Sequence, residues 1–340
     1  MIDLEALEAE AKRRLDPAFF DYVAGGSEAE STLEDNESAW NRFVLRPHVL
    51  RNVTQVRTAT TLLGNEVGSP IAVAPMAMLH QAWEKGGVAT AEGAALADSL
   101  FVMGLFGAGS ASEVASASGA SVRWLQLYML KDRARSVAAA QRLLAEGYSA
   151  LVLTVDVARQ GNRLRDRRND WTFRDERRDD AGDPNEIFDQ AFSFDDLAHL
   201  CSEIEAPIVV KGVLRGDDAQ QCVAAGARAI VVSNHGGRQL DGCVASADAL
   251  EEVVSAVGDR AEVYVDGGVR SGTHVLKALA LGARAVFVGR PVMWGLSVQG
   301  AGGVHAVLET LRSELERNMA LCGVTRVDEI QRDLVSRRSD

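Results

Sequence analysis

Residues 207–233, PIVVKGVLRGDDAQQCVAAGARAIVVS, contain two short apolar runs separated by a helix-length stretch. The runs Pro207–Val210 and Ala229–Val232 are rich in β-branched residues and nearly continuous in hydrophobicity, which is typical of strands covered on both faces. Between them, Asp217–Ala225 begins at an acidic residue and ends before Gly226, and these are ordinary start and stop signals of a helix. The stretch therefore predicts a strand, a helix and a second strand parallel to the first.

The same alternation extends along most of the chain. The other apolar runs are Ile71–Ala74, Leu100–Met103, Val122–Leu127, Ala150–Val155, Glu262–Val265 and Ala285–Val288. Eight strand-helix units in series predict a closed (β/α)8 TIM barrel, because each parallel pairing needs a crossover and right-handed crossovers place the helices outside. An open, doubly wound sheet is the alternative, and the absence of a Gly-x-Gly-x-x-Gly turn after any strand weakens it.

We expect the chain to form one domain over residues 1–340. Its parts would be a helical cap (residues 1–65), the barrel (residues 66–322) and a C-terminal tail (residues 323–340). The segment Arg163–Gln190, after the fourth strand, is crowded with Arg and Asp, and this composition predicts a mobile polar lid loop at the catalytic face. A solvated charge run without a role is the alternative.

Composition argues against several classes of function. The net charge of −12 opposes general nucleic-acid binding, because phosphate backbones are bound by concentrated Lys and Arg. No apolar run approaches the roughly 20 residues of a membrane span. The six histidines lack metal-ligand spacing, so we expect no metal site. The four cysteines form no Cys-x-x-Cys pair and no signal peptide opens the chain, so we expect a cytoplasmic protein.

Polar residues and glycines follow almost every predicted strand, at the end where barrel enzymes assemble their active sites. In chain order they are Pro75-Met76-Ala77, Gln126 with Tyr128, Thr154 with Asp156, Lys211, residues 233–238, Asp266-Gly267-Gly268 with Arg270, and Gly289-Arg290. The last two groups predict a phosphate cradle, because glycines let main-chain N–H groups approach an anion while Arg270 and Arg290 supply charge. Glycine turns beside unrelated surface arginines are the alternative.

Residues 233–242 read SNHGGRQLDG, and this decapeptide strongly resembles the signature of the FMN-dependent 2-hydroxy acid oxidases and dehydrogenases. That family includes glycolate oxidase, lactate oxidase and mandelate dehydrogenase. The resemblance extends over nearly the whole chain, through FDYVAGGS at 20–27, QLY at 126–128, LTVD at 153–156, DGGVR at 266–270 and VGRP at 288–291. It implies a barrel enzyme that binds FMN and oxidises a small (S)-2-hydroxy acid to the 2-oxo acid. It also implies a homotetramer.

The resemblance further implies a role for each site residue. His235 would be the base, Asp156 would stabilise the resulting imidazolium, and Tyr128 and Lys211 would complete the catalytic set. Lys211 would lie near the flavin atoms on which negative charge develops. The substrate-binding residues would be Tyr22, Tyr128, Arg163 and Arg238, with the arginines clamping the carboxylate. The other cofactor-binding residues would be Pro75, Met76, Ala77, Gly104, Gln126, Thr154, Ser233, Asp266, Gly267, Gly268, Arg270, Gly289 and Arg290.

The sequence departs from the common family pattern at Met76, where many members have Thr, and at Gly104, where a Ser often contacts the flavin. Substrate size would be set by side chains over the flavin, with Phe106, Met129, Met76 and the lid as candidates. The electrons would pass to oxygen or to another acceptor. The rival interpretations are an FMN- or phosphate-binding barrel of the isomerase or inosinate-dehydrogenase type, in which Cys243 could be a nucleophile, and a flavin-binding protein without catalytic activity.

Overall fold

The computed structural model describes residues 2–107, 109–172 and 187–338. Eight parallel strands form its centre. They are β1 (Ile71–Val73), β2 (Phe101–Met103), β3 (Arg123–Leu127), β4 (Leu151–Thr154), β5 (Ile208–Val213), β6 (Ala229–Val232), β7 (Glu262–Val265) and β8 (Ala285–Val288). The sheet closes in the order β7-β8-β1-β2-β3-β4-β5-β6. Every predicted strand is present, and the predicted TIM barrel is confirmed.

Helices precede, connect and surround the strands. They are α1 (Leu4–Arg14), α2 (Pro17–Ala24), α3 (Ser31–Ser38), α4 (Leu79–Ala82), α5 (Gly86–Leu96), α6 (Ala111–Ser118), α7 (Arg133–Leu144), α8 (Leu164–Arg168), α9 (Phe194–Glu203), α10 (Gly216–Ala224), α11 (Ser246–Val257), α12 (Gly272–Ala280) and α13 (Arg290–Leu321). The last helix bends at Gln299 and Gly300, whose main-chain angles are not helical. This helix packs against α1, α5 and α12. Within the described ranges, every helix is too short or too polar to cross a bilayer.

Alternation along the strands separates two layers of apolar packing. Ile71 and Val73 belong to the layer shared with the helices, whereas Ala72 belongs to a cluster inside the barrel. That inner cluster also holds three mutually contacting aromatic residues, Trp124, Tyr264 and Phe287. An antiparallel hairpin of Thr60–Leu62 and Asn65–Val67 packs Leu62 and Val67 against the same cluster. The N-terminal end of the barrel is therefore filled, and the space for a ligand lies toward the other end.

The cap and the C-terminal tail are joined directly. Residues Phe43–Leu45 pair antiparallel with Val335–Arg337, at the far end of the chain. Lys277 on α12 also donates to the main-chain oxygen of Trp40 at 2.8 Å. These contacts hold the N-terminal helices against the barrel, next to the loops that follow β7 and β8.

Both flanks of Arg163–Gln190 are packed, which differs from the mobile loop that its composition predicts. The first flank forms α8, which contacts α2. The second runs antiparallel to the loop after β3, where Asp189 N donates to Met129 O at 2.9 Å and Lys131 N donates to Ile187 O at 3.0 Å. Main-chain pairing and helix packing thus outweigh the local charge. Residues 173–186 lie outside the described residues. The lid prediction for these residues therefore stays a prediction.

Candidate active site

A cavity with an empty volume of about 1200 Å³, including its open mouth, lies among the loops after the strands. The sequence-predicted residues that line it are Tyr22, Pro75, Met76, Ala77, Tyr128, Arg163, Lys211, His235, Arg238, Asp266, Gly267, Gly268, Arg270, Gly289 and Arg290. Of the candidates for setting substrate size, Phe106 also lines the cavity and Met129 does not. The remaining predicted site residues do not line it: Asp156, Ser233, Gln126, Thr154 and Gly104. They support the lining residues from behind.

His235 and Asp156 form a close pair at the cavity. His235 Nδ1 lies 2.8 Å from Asp156 Oδ1, and the main-chain N–H of His235 donates to Ser233 Oγ at 3.1 Å. The residue has a φ of +59°, a conformation that the loop after β6 imposes. Because Nδ1 faces the carboxylate, Nε2 is the ring nitrogen left to exchange a proton with a bound ligand.

Burial and neighbouring charges together set the protonation states of this pair. It lowers the pKa of His235 below 6.5, although the charge of Asp156 acts in the opposite direction. Burial also opposes ionisation of Asp156, but the charges of His235 and Lys211 outweigh it and lower the pKa of the carboxyl group. The imidazole is therefore neutral and the carboxylate charged near pH 7. A neutral imidazole beside a carboxylate is suited to accept a proton.

Lys211 supplies a buried positive charge at the end of β5. Its Nζ lies 3.1 Å from Asp266 Oδ2 and donates to Ser233 Oγ at 2.9 Å. Burial alone would lower the pKa of this ammonium group, but the carboxylates of Asp266 and Asp156 raise it. The cavity thus has a permanent cation that can stabilise developing negative charge.

Two further polar residues support this region from behind. Gln126 Nε2 donates to Thr154 Oγ1 at 3.0 Å, and Gln126 Oε1 accepts from Leu105 N at 3.2 Å. Thr154 in turn pairs in register with Lys211 across β4 and β5. Both side chains are buried, so the structure places them under the cavity wall.

Arg238 and Arg163 lie on one side of the cavity around the ring of Tyr22. The guanidinium carbons are 4.7 Å and 5.8 Å from the ring centroid, respectively. Burial lowers the pKa of Arg238 to about 10, and the charge of Arg163 acts in the same direction. Among the described residues, Asp166 is the carboxylate closest to this pair, 4.0 Å from Arg163. Two clustered guanidinium groups with one carboxylate nearby leave positive charge uncompensated, and this charge favours binding of an anion.

Arg290, at the start of α13, is a further, half-buried cation of the cavity. Its Nε donates to Val23 O, and its Nη2 donates to Gly25 O and Gly236 O, each at 3.0 Å. These acceptors are main-chain oxygens rather than carboxylates. Burial lowers the pKa of Arg290 to about 9, and the charges of neighbouring arginines act in the same direction. A bound anion would relieve this electrostatic cost.

The loop after β7 lines the same cavity as that cation. Gly268 has a φ of +68°, and a Cβ atom there would lie 1.9 Å from Asn36 O, so this close approach requires glycine. Trp40 Nε1 fixes the loop by donating to Gly267 O at 3.0 Å. Glycine turns beside Arg290 fit a phosphate group, as the sequence predicts.

Arg270 differs from the simple cradle that the sequence predicts. Its Nη2 lies 2.5 Å from Glu37 Oε1, and its Nη1 donates to Val269 O at 3.0 Å. The carboxylate of Glu37, on α3, therefore already compensates part of its charge. Of the two cradle arginines, Arg290 is the one without a carboxylate partner in the described part of the chain.

The unusual glycine at position 104 has a steric cause. A Cβ atom on Gly104 would lie 2.8 Å from Met76 O, closer than real Cβ contacts. Met76 itself lines the cavity beside Gly289. A serine at position 104 would thus require the main chain at Met76 to move.

Aromatic rings form another wall of the cavity. The ring of Tyr128 stacks on Phe188 with centroids 4.5 Å apart, and Phe106 lies 6.1 Å from Tyr128 and 6.2 Å from Phe188. Burial and the charge of Asp156 raise the pKa of Tyr128, so its hydroxyl group stays protonated and can donate a hydrogen bond. Sequence reasoning named the segment Arg163–Gln190 as a candidate for setting substrate size but did not single out Phe188, because its apolar pair with Ile187 stands in a polar stretch. The other unpredicted lining residues include Val23, Ala74, Val157, Gln160 and Met293.

Comparison with known proteins assigns the chain to a family. A family model described as FMN-dependent dehydrogenase matches residues 11–337. The chain belongs to this family. An L-lactate oxidase of Nostoc sp. is 43% identical, and the match covers 97% of this chain and 96% of the relative. The 2-hydroxyacid oxidase 2 of Rattus norvegicus is 40% identical, with 98% of each chain covered. The solved structure of a mandelate oxidase mutant with (S)-mandelic acid is 38% identical, with a TM-score of 0.93 and 100% of both chains covered.

The membership confirms the predicted cofactor, FMN. The cavity of this FMN-dependent dehydrogenase family member fits that group, because a half-buried arginine and glycine turns suit its single phosphate while Lys211 offers positive charge to the flavin ring. Cys243, the nucleophile of the rival interpretation, does not line the cavity. Burial raises the pKa of its thiol, which disfavours the reactive thiolate.

Proposed function

We propose that this FMN-dependent dehydrogenase family member oxidises small (S)-2-hydroxy acids to 2-oxo acids and passes the electrons to oxygen. The observation that carries the proposal is that a neutral His235 with its carboxylate partner faces the same cavity as the clustered Arg163 and Arg238. An acid whose carboxylate binds the arginines can present its C2 hydroxyl group to the base. Relatives whose names specify lactate, 2-hydroxyacid and mandelate oxidation support the substrate class.

The residues of the proposed site divide the chemistry among them. Arg163 and Arg238, with Tyr22, bind the substrate carboxylate through charge-assisted hydrogen bonds. The hydroxyl group of Tyr128 donates to the oxygen on C2. His235 Nε2 accepts the proton that leaves the substrate, and Asp156 holds the ring and stabilises the imidazolium. FMN, when bound, accepts the two electrons.

The cofactor would be held by three groups of residues. Arg290, Gly289, Gly267 and Gly268 would take the phosphate, with Arg270 sharing its charge between the phosphate and Glu37. The main chain of Pro75, Met76 and Ala77 would flank the ring. Lys211, held by Asp266 and Ser233, would face the part of the ring that becomes negative, and Gln126, Thr154 and Gly104 would complete the residues that contact the cofactor.

Product analysis tests this function. For each molecule of acid consumed in air, we expect one molecule of 2-oxo acid and one of hydrogen peroxide, which balances the two electrons and two protons removed from the substrate. If 2-oxo acid forms only when an artificial electron acceptor is added, the enzyme is a dehydrogenase that uses another acceptor. If no 2-oxo acid forms under either condition, the proposed function is wrong.

We also propose that the whole chain works as one unit, as a homotetramer in the cytoplasm. The support is the family resemblance for the assembly and the unpaired cysteines for a reducing compartment. Light scattering of the FMN-loaded protein tests the assembly. A mass near four chains is expected, whereas a mass near the 36.4 kDa of one chain would contradict it.

A further inference from the structure

Some residues that line the cavity have no role in the proposed chemistry, and the wall that they form is mainly apolar. The charged lining residues serve the carboxylate, the proton and the cofactor. The lining side chains left over for the rest of the substrate include Phe106, Phe188, Val157, Met293 and Gln160. None of these carries a charge. Among the described residues of this wall, a charged substituent on C2 would lose its hydration without gaining an ionic partner.

Phe188 is fixed firmly in this wall. Its side chain is only 6% exposed, and the residue bridges antiparallel to Leu130. Main-chain hydrogen bonds on both sides hold the bridge, from Asp189 N to Met129 O and from Lys131 N to Ile187 O. The position of the ring is therefore set by the main-chain pairing of residues 187–189 with the loop after β3.

The rings around Phe188 make a surface that suits another ring. Phe106 and Phe188 are tilted by 41° with centroids 6.2 Å apart, and the ring of Tyr128 stacks on Phe188. Aromatic groups gain energy from offset or tilted contacts at such distances, beyond the burial of their area. The hydroxyl group of Tyr128, which binds the oxygen on C2, places this aromatic surface next to the substituent of the same carbon.

We propose that Phe188 is a specificity-determining residue that selects 2-hydroxy acids with an aryl or large apolar substituent on C2. The proposal rests on the proposed function, since it concerns the same substrate and the same cavity. Phe188 packs directly against the substituent, together with Phe106. Acids with a hydrogen, methyl or carboxymethyl substituent leave this surface uncovered or bring a charge to it, and they are poorer substrates.

The test compares three substrates in the parent enzyme and in two variants. Acids with phenyl, methyl and carboxymethyl substituents are mixed anaerobically with FMN-loaded protein, and kcat/KM is obtained from flavin bleaching. The parent should favour the phenyl acid. Phe188→Ala should lower kcat/KM for the phenyl acid about tenfold more than for the methyl acid, mostly through KM. Phe194→Ala, a change at a half-exposed ring on α9 outside the cavity, should leave the ratio unchanged.

Equilibrium binding provides a second readout. The matching 2-oxo acids are titrated into each protein and followed by the change in flavin absorbance. Phe188→Ala should weaken binding of the phenyl compound more than that of the methyl compound, whereas Phe188→Leu, which keeps an apolar side chain, should restore part of the difference. An unchanged ratio in Phe188→Ala, or a parent that prefers the methyl acid, overturns this inference alone. Failure of every 2-hydroxy acid to bleach the flavin overturns the proposed function.

Discussion

His235 and Asp156 determine each other's charge, and the kinetics should show it. In the parent, burial lowers the pKa of His235 while Asp156 opposes that effect. The base must be neutral to accept a proton, so kcat/KM should be constant at neutral pH and fall as the pH drops through the lowered pKa of His235, below 6.5. The pH profile of kcat/KM should therefore have an acidic limb, and the position of this limb depends on the carboxylate of Asp156.

Asp156→Asn should move that limb. Loss of the carboxylate removes the interaction that favours protonated His235, so the pKa of the imidazole falls further and the acidic limb shifts to lower pH. The plateau of kcat/KM should also fall, by about 10- to 1000-fold, because the imidazolium is no longer stabilised. The measurement is kcat/KM against pH, with Asp259→Asn on the exposed surface as control. A limb that stays in place or moves to higher pH would contradict the pairing.

Arg163 and Arg238 share the proposed substrate carboxylate but differ in their other contacts. Arg238 also donates to main-chain oxygens of Tyr22 and Gly25, at the C-terminal end of α2. The bonds of Arg163 to Arg238 O and Gln239 are long, at 3.3 and 3.4 Å. Arg163 is thus the cleaner probe of carboxylate binding.

Arg163→Met should lower kcat/KM by roughly ten- to a hundred-fold with FMN content unchanged, because one charge-assisted hydrogen bond to the anion is lost. Arg238→Met should cost at least as much and also lower the melting temperature, because α2 loses its anchor. Measuring kcat/KM for a 2-hydroxy acid and for its amide shows whether the loss of activity in each variant depends on the charge of the substrate carboxylate. If Arg163→Met discriminates between acid and amide as well as the parent does, the arginine does not bind the carboxylate.

At the scale of elements, α3 depends on a residue far away in the sequence. Its N-cap residue, Glu30, has a φ of +64° and provides no side-chain cap. Asp241 caps the helix instead, because it accepts from Thr32 N and Ser31 Oγ, both at 2.8 Å, and from Ala29 N at 3.1 Å. Burial opposes ionisation of Asp241, but these hydrogen bonds lower its pKa to about 2. The aspartate of the signature decapeptide therefore has a structural role.

Asp241→Ala should reduce the free energy of unfolding by about 1–2 kcal/mol, the usual cost of a lost helix cap. It should also reduce FMN retention, because α3 carries Asn36, whose main-chain oxygen borders Gly268. Urea unfolding and the flavin-to-protein absorbance ratio measure the two effects. The parent's extra stability should be present above pH 3.8 and lost as the pH falls toward 2, because the pKa of Asp241 is depressed in the folded state. Equal stability of variant and parent at pH 7 would contradict the capping role.

Some elements could be predicted from the sequence and others could not. The eight strands could be predicted because each is a compact apolar run between turn signals. In contrast, α3 is polar and lacks apolar periodicity, since a cap from another loop stabilises it. The ordered flank around Phe188 could not be predicted either, because its strand-like pairing to Met129 and Lys131 depends on tertiary structure that outweighs the local composition.

For the whole molecule, most of the polar residues that line the cavity could be predicted, but the long-range contacts that anchor its arginines could not. Strand ends in a barrel converge, so polar residues after strands must meet in one cavity. The anchoring of Arg238 and Arg290 to α2 spans more than 200 positions, as does the Glu37 contact of Arg270. These contacts arise from the docking of the cap onto the barrel. The pattern of apolar and polar residues along the sequence does not predict these contacts between the cap and the barrel.

We propose that this molecule removes a proton from a 2-hydroxy acid through His235 and delivers the electrons to FMN. Anaerobic single-turnover mixing of FMN-loaded protein with an (S)-2-hydroxy acid tests it most directly, with the parent and His235→Gln matched for flavin content. We predict rapid bleaching of the parent, and a loss of at least about 100-fold in the variant, which keeps its yellow colour but lacks the titrating nitrogen. A parent that is not bleached, or a variant reduced within a few-fold of the parent rate, would contradict the claim.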